Sequence, residues 1–173
     1  MQFSQIAFID DSFFNGKNKI TNLNFNLGLQ WFKCIIGTDR VKENWLCEGF
    51  CEFLKIYIYY PPEQLKEIMN KEDEQLKEIL ENNKNSALLN SLSAYNSYED
   101  YTNVQKRKSC LMIYKFYREF GEKNFSDFLQ MYCSEYSFKN INSQDFINMC
   151  NKVYNEDLSE FFKKWINESD IPN

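Results

Sequence analysis

The chain has 173 residues, a formal net charge of −5 at pH 7 and no histidine. Its length fits one domain that buries its own core, and its 43% hydrophobic and 26% charged residues are typical of a globular protein. The acidic balance argues against broad binding to nucleic acid, and the lack of histidine removes the commonest metal ligand and the commonest general base.

Neither a membrane-spanning segment nor a secretion signal is predicted. No apolar run approaches the roughly 20 residues that span a bilayer, and the N-terminus lacks both a basic region and a small-residue cleavage site. The six cysteines lie on predicted helices without the spacing of a disulfide framework, so we expect free thiols in a reducing compartment, the cytoplasm. Two of them share a helical face, but two thiolates fall short of the four ligands of a zinc site. The six are Cys34, Cys47, Cys51, Cys110, Cys133 and Cys150.

The first 60 residues are predicted to form an extended entry and then a pair of helices. Within residues 1–20, Phe3, Ile6 and Phe8 alternate with polar neighbours in the manner of a weak strand. Residues 21–60 then contain two apolar-periodic segments separated by the sequence G-T-D. The sequence therefore predicts at most a short N-terminal strand before the helices begin.

The first helix of the pair is expected to begin at a cap on Thr21 or Asn22. It carries Phe25, Leu29 and Phe32 on one face, because residues four and three apart share a face of an α-helix. With apolar side chains this spacing predicts a stripe that packs against the core.

The second and third helices are separated by a pair of prolines. The second covers roughly residues 42–59, and the third covers residues 61–82. In the third, the hexapeptide E-Q-L-K-E-I occurs at 63–68 and again at 74–79. A shift of eleven residues is close to three helical turns, so the repeat predicts one long, charged, amphipathic helix. It either packs on the chain's own core, which we favour, or is offered to a partner.

The remainder of the chain is predicted to be a linker followed by a helical bundle. Residues 83–102 are rich in Asn and Ser and indicate a flexible or partly helical linker, and residues 103–173 form the bundle. The first bundle helix runs from Asn103 to Phe120 and ends at Gly121, a residue suited to a helix C-terminus.

Two short patterns in the bundle carry further predictions. The basic cluster Lys106, Arg107 and Lys108 is interpreted as a solvated helix end. Asn142 followed by Asp145 three residues later predicts a capped helix start, because each side chain can satisfy a free backbone N–H.

The helix pair resembles the active-site helices of the zinc aminopeptidases related to aminopeptidase N, the gluzincin metallopeptidases. The sequence Q-W-F at 30–32 is similar to the end of that family's H-E-x-x-H-Q-W-F helix. The sequence W-L-C-E-G-F at 45–50 is similar to W-L-N-E-G-F, which carries the third zinc ligand. Eighteen residues separate Leu29 from Glu48, which is the family's spacing between its second and third ligands.

The resemblance implies a zinc site that has lost its chemistry. Phe25 and Leu29 stand at the two histidine positions, Asn26 stands at the general base, and Glu48 stands at the third ligand. Lys106, within V-Q-K-R-K-S-C, stands at the tyrosine of I-S-Y-x-K-G-A that stabilises the oxyanion. One residue of the five is kept, so we expect no catalytic residues, no metal site and no cofactor. Glu48 is either a polar helix residue bonded to Lys or Tyr or a surviving ligand, and hydrocarbon is expected to fill the metal cavity.

The resemblance extends over nearly the whole chain and implies its fold. Residues 1–11 resemble the segment that follows the family's amine-binding G-A-M-E-N motif, and residues 137–145 resemble a later linker, S-Y-K-N-x-x-x-x-D. Residues 170–172 stand where a G-x-P sequence closes the family's catalytic domain. We therefore expect one mainly α domain over 1–173, the helical half of a thermolysin-like catalytic domain, with six to eight helices.

The expected function is that of an inactive relative, a pseudoenzyme that binds a protein partner or a larger assembly. Apolar surface against which other parts of the parental protein packed would be the natural partner site. The alternative is a component of a split zinc aminopeptidase whose metal site is supplied by another chain. A decayed product without a role is a third possibility. Unrelated chemistry at a thiol or at Lys106 lacks a neighbouring base.

Overall fold

The computed structural model describes residues 2–3, 6–7, 19–82 and 87–172. These residues form a mainly α-helical fold, as predicted, with six α-helices. The helices are α1 (Lys19–Leu29), α2 (Asn44–Tyr59), α3 (Pro62–Asn82), α4 (Tyr98–Tyr136), α5 (Ser143–Tyr154) and α6 (Ser159–Asn167). A π-helical segment, Gln30–Ile35, continues α1, and a 3-10 turn, Leu92–Ala94, precedes α4. Within the described ranges, no helix is long and apolar enough to cross a membrane.

Two short strand pairs accompany the helices. At the N-terminus β1 (Gln2–Phe3) pairs with β2 (Ile6–Ala7) in antiparallel fashion, within the segment predicted to be extended. The second pair, β3 (Gly37–Thr38) with β4 (Asn140–Ile141), is parallel and was not predicted. Two residues are too short to show the alternation by which strands are recognised. Phe8, also part of the strand prediction, lies outside the described residues.

Gly37 is required by the close approach of β3 to β4. A Cβ atom at this position would lie 2.0 Å from Oδ1 of Asn140, which is far inside van der Waals contact. The backbone N–H of Gly37 donates to the carbonyl of Lys139 at 2.8 Å, and that of Phe138 donates to Ile35 at 2.7 Å. These bonds fasten the end of the π-helical segment to the loop between α4 and α5.

The start of α1 differs from the prediction. Helix α1 begins at Lys19, so Thr21 and Asn22 lie inside it and neither is its cap. The carbonyl of Asn22 instead accepts a hydrogen bond from the side chain of Asn26 at 2.8 Å. Polar residues that favour caps also occur within helices when tertiary packing extends the helix past them.

The start of α4 also differs from the prediction. The helix begins at Tyr98, so residues 98–102 belong to it and not to a linker. The Ser97 side chain accepts a hydrogen bond from the backbone N–H of Asp100 at 3.0 Å, which is a cap of the usual kind. The prediction missed this cap because the surrounding sequence contains many other Asn and Ser residues that could serve as caps. Residues 83–86 of the predicted linker lie outside the described part of the chain.

Gly121 interrupts α4 where the first bundle helix was predicted to end. Its φ of 79° and ψ of 167° are non-helical, although helical hydrogen bonding continues on both sides. Glycine adopts positive φ without the steric cost that a side chain imposes. The predicted cap at α5 is confirmed: Asn142 and Asp145 form a reciprocal capping box.

The core is a layer of aromatic rings between α2 and α4. Phe50 on α2 stacks on Phe32 with centroids 4.7 Å apart, and it lies 5.6 Å from Tyr132 and 5.8 Å edge-on from Phe146. Offset and edge-to-face contacts of this kind each add about 0.5–1.5 kcal/mol beyond area burial. The aromatic-rich composition therefore serves the packing of α2 between its neighbours.

Helix α3 packs on the chain's own core, the arrangement that we favoured. Leu65, Met69 and Leu76 are almost fully buried along one face. Arg107 on α4 forms an ion pair with Glu72, which ties the charged side of α3 to the bundle. The opposite face carries the exposed charges.

Candidate functional site

The structure brings three of the five predicted vestigial positions into direct contact. The ammonium of Lys106, on α4, lies 4.0 Å from Oε2 of Glu48, on α2. The same ammonium lies over the ring of Phe25, on α1, 5.1 Å from its centroid. Arg40 approaches the other carboxylate oxygen, Oε1, at 3.4 Å. We call these four residues, Phe25, Arg40, Glu48 and Lys106, the cation cluster.

The other two vestigial positions, Leu29 and Asn26, have different surroundings. Leu29 is buried in the core with 7% of its surface exposed. Asn26 bonds back to the carbonyl of Asn22 one turn earlier, so its amide serves the helix itself. Leu29 therefore lies in the core, and Phe25 lies under the Lys106 ammonium.

Burial makes the Glu48 carboxylate dependent on its two cations. Its side chain is 13% exposed, and among the described residues its Oε2 atom is buried without a hydrogen-bond partner. A buried carboxylate without a compensating charge is costly, because water no longer solvates it. Lys106 and Arg40 are 38% and 43% exposed, so they supply positive charge while keeping contact with solvent.

A close contact between α2 and α4 sets the position of Lys106. A Cβ atom on Gly49 would lie 2.5 Å from Oγ of Ser109, so only glycine lets the helices approach this closely. Glu48 precedes that glycine, and Lys106 lies one turn before Ser109 on α4. The Ser109 hydroxyl donates to the carbonyl of Gln105, which holds it against its own helix. The glycine of W-L-C-E-G-F thus places the carboxylate beside the lysine.

The residues present at this position do not fit zinc. Zinc sites in proteins use four nitrogen, sulfur or oxygen donors, and here a single carboxylate faces two cations, one of which lies over an aromatic ring. In the part of the chain that the structure describes, no three Cys, Asp or Glu side chains are grouped so as to hold a metal ion. The chain has no histidine to add.

Cys51, beside the cation cluster, does not offer a thiolate ligand. Cys47 and Cys51 are fully buried on α2, and none of the six cysteines forms a disulfide. Burial raises the pKa of the Cys51 thiol well above its usual value, and the hydrogen bond with Cys47 raises it further. Burial likewise raises the pKa of Cys110. Neutral thiols are poor nucleophiles and poor ligands.

The basic run Lys106, Arg107 and Lys108 was predicted to be a solvated helix end, and that prediction is wrong. All three residues lie well inside α4, and Lys108 is fully buried. The Lys108 ammonium donates to the carbonyl of Glu168, and burial lowers its pKa to about 8, opposed by the nearby Asp170 and Glu168. Arg107 pairs with Glu72. The three basic side chains, although consecutive in the sequence, therefore lie in three different environments.

A second feature of α1 is an apolar groove of ≈ 670 Å³ between α1, α2 and α4. Its projecting side chains are largely exposed: 56% for Leu27, 53% for Trp31 and 64% for Ile58. Sequence reasoning expected exposed apolar surface but did not locate it. The sequence feature that could have located it is the pair Leu27 and Trp31. These two apolar residues are four apart, so they share a helical face, and that face is not the one predicted to pack against the core. The groove lining is Asn24, Leu27, Gly28, Gln30, Trp31, Leu54, Ile58, Leu129, Gln130 and Cys133.

The fold and the altered site together define the helical part of a zinc-aminopeptidase-type catalytic domain. The model of the peptidase family M1 domain matches residues 14–165, and the chain belongs to that family. No curated protein matches the sequence.

Solved structures agree with this fold. The chain is similar to yeast LTA4 hydrolase in complex with bestatin, with a TM-score of 0.73 and 16% identity over 91% of this chain. An M1 zinc metallopeptidase mutant from Deinococcus radiodurans, bound to a Tyr-Ser-Ala substrate, gives 0.69 and 14% over 92%. Native leukotriene A4 hydrolase from Saccharomyces cerevisiae gives 0.70 and 15% over 92%. The chain spans 27%, 34% and 28% of these three structures, respectively.

Proposed function

We propose that this chain is a catalytically inactive member of the M1 family that serves as a protein-binding or assembly subunit. The observation that carries the proposal is the cation cluster. The carboxylate at the position of a zinc ligand faces the ammonium of Lys106 at 4.0 Å. A divalent ion at Glu48 would meet the repulsion of two resident cations.

The chemistry of a metallopeptidase also needs a base and an oxyanion stabiliser, and neither is supported here. The amide of Asn26 cannot accept a proton as a carboxylate does, and it bonds to its own helix. Lys106, at the oxyanion position, is already engaged by Glu48 and by the ring of Phe25. The same contacts speak against a split enzyme completed by another chain, because these residues belong to this chain.

The apolar groove supports the binding role. Exposed apolar residues that occur singly need no explanation, but a contiguous apolar concavity marks an interaction site. The groove adjoins α1 on a side where no residue of the cation cluster contributes to its lining. We place the proposed binding role in the cytoplasm, because all six cysteines are unpaired thiols.

A hydrolysis assay tests the inactive half of the proposal. The purified chain, incubated with zinc, is offered aminoacyl p-nitroanilides beside an active M1 aminopeptidase as positive control. We expect release of nitroaniline at the rate of buffer alone. Turnover that a chelator abolishes and that Glu48→Gln lowers would overturn the proposal.

A further inference from the structure

The segment that follows α6, residues 168–172, lies against α4 without helical or strand structure of its own. We call this segment the strap. The Lys108 ammonium donates to the carbonyl of Glu168, and the Lys115 ammonium donates to the carbonyl of Pro172 at 2.9 Å. The two lysines are about two helical turns apart, so both bonds come from one face of α4.

The two lysines that hold the strap differ in their contact with water. Lys115 is half-buried, and its ammonium lies over the ring of Trp165 on α6, 5.1 Å from the centroid. Lys108 is fully buried. An ammonium withdrawn from water loses hydration that hydrogen bonds replace only in part. Closure of the strap over Lys108 therefore carries a cost, and opening the strap returns the ammonium to water.

The charges that face Lys108 offset part of this cost. The carboxylates of Asp170 and Glu168, both on the strap, favour the charged form of the lysine. On α4 itself, the adjacent Arg107 pairs with Glu72 of α3. Burial nevertheless lowers the pKa of Lys108 to about 8, so it outweighs the two carboxylates. The charged lysine is therefore less favourable under the closed strap than in water.

We propose that the strap opens as a unit to hydrate the Lys108 ammonium while the helices stay folded. None of residues 168–172 is fully buried, whereas α6 buries Phe162, Trp165 and Ile166. A segment with little buried surface opens at a lower free energy than the helices of a core. This conformational device goes beyond the proposed assembly role and does not depend on it.

Opening of the strap is linked to protonation of Lys108. The lysine has its ordinary pKa of 10.5 in water, and the closed strap lowers that pKa to about 8. Between these values the open state binds more protons than the closed state, so a rise in pH favours closure. From pH 7 to pH 9 the equilibrium constant for opening should fall about tenfold.

Hydrogen exchange at the Glu168 amide, which donates to the carbonyl of Lys164 at 3.2 Å, measures this opening. Its protection factor should rise about tenfold from pH 7 to pH 9 in wild type and stay constant in Lys108→Met. Urea at low concentration should speed exchange at Phe162, inside α6, but not at Glu168, because global unfolding exposes more surface than opening of the strap. A protection factor at Glu168 that ignores pH in wild type, or that shares the urea dependence of Phe162, overturns the proposal.

Lys115→Met tests the same opening in a protein that keeps Lys108. The variant lacks the bond to Pro172, so an amine-reactive N-hydroxysuccinimide ester should label Lys108 about 2- to 10-fold faster, as expected for the loss of one hydrogen bond. Lys163→Met, which removes a lysine 53% exposed on α6, is the matched control and should leave that rate unchanged. Peptide mass spectrometry measures the labelling, and circular dichroism checks that each variant keeps its helices. Equal labelling of Lys108 in wild type and Lys115→Met overturns the proposal, as does wild-type labelling as fast as at exposed lysines.

Discussion

Helix α1 has two sides with opposite character. On one side, Leu29 is buried in the core and Phe25 lies under the Lys106 ammonium, so positions that resemble metal ligands are filled by hydrocarbon and a resident cation. On the other side, Leu27 and, on the π-helical segment that continues α1, Trp31 are exposed around an apolar groove. The difference teaches that one side of the helix serves the packing of the core, whereas the other leaves apolar surface exposed.

The cation cluster also shows how a buried carboxylate remains tolerable without a metal. Glu48 keeps positive charge on both oxygens, from Arg40 at 3.4 Å and from Lys106 at 4.0 Å. Charge balance at the site is thereby internal to the protein.

Truncating one leucine on each side of α1 gives the largest predicted contrast. Leu29→Ala should lower the free energy of unfolding by about 2–5 kcal/mol, because it leaves a cavity in the core. Leu27→Ala, the same chemical change on the same helix, should stay within about 0.5 kcal/mol in dilute protein because Leu27 is 56% exposed. Urea denaturation measures both. Equal losses in the two variants would contradict the assignment of the two sides.

Lys108 offers a comparison with Lys106 two residues away on α4. Its pKa is lowered by burial from 10.5 to about 8, so between these pH values the unfolded chain binds more protons than the folded chain. Stability from this group is therefore lowest below pH 8 and rises towards pH 10.5, by up to about 3 kcal/mol.

The measurement is the difference in unfolding free energy between wild type and Lys108→Met at several pH values. The difference isolates Lys108 because buried thiols and tyrosines titrate in both proteins. It should grow in favour of wild type from pH 8 to 10.5. Lys163→Met, which removes a lysine 53% exposed, serves as control and should show no such trend. If the difference between wild type and Lys108→Met did not change with pH, the Lys108 ammonium of the wild type would be solvated.

Removing the Lys106 charge should have the smallest of the three effects. Lys106→Met leaves Glu48 with Arg40 alone and is expected to cost about 1 kcal/mol, because the pair is partly exposed. Glu48→Gln in the same background should recover most of the loss, since no buried charge then remains. Lys123→Met is the control, as its pair with Asp127 is 86% and 50% exposed. If Lys106→Met lost no more stability than Lys123→Met, Lys106 would not stabilise the Glu48 carboxylate.

The sequence predicted the features that depend on local pattern. The amphipathic α3, the capping box of Asn142 and Asp145, and the break at Gly121 all follow from spacing and residue type, and the structure confirms them. The start of α1 was misplaced, because Thr21 and Asn22 resemble caps but lie within a helix that packing extends. Local preference is a weak guide where tertiary contacts decide.

Features that join distant parts of the chain could not be predicted in the same way. The parallel pairing of Gly37 with Asn140 spans about a hundred residues and leaves no periodic signal. The run at 106–108 looked uniform, yet its members face a carboxylate, a neighbouring helix and the core. The resemblance named Lys106 as an altered position and Glu48 as the one that is kept, and the fold was needed to show that they meet.

Titration calorimetry of zinc into the purified, reduced chain tests the central claim most directly. Wild type and Glu48→Gln are compared, so that any binding by thiols appears equally in both. We predict no 1:1 binding that depends on Glu48 at zinc concentrations up to about 100 μM. Tight 1:1 binding that Glu48→Gln abolishes would show that the carboxylate still holds a metal, and would contradict the replacement of the ion by Lys106.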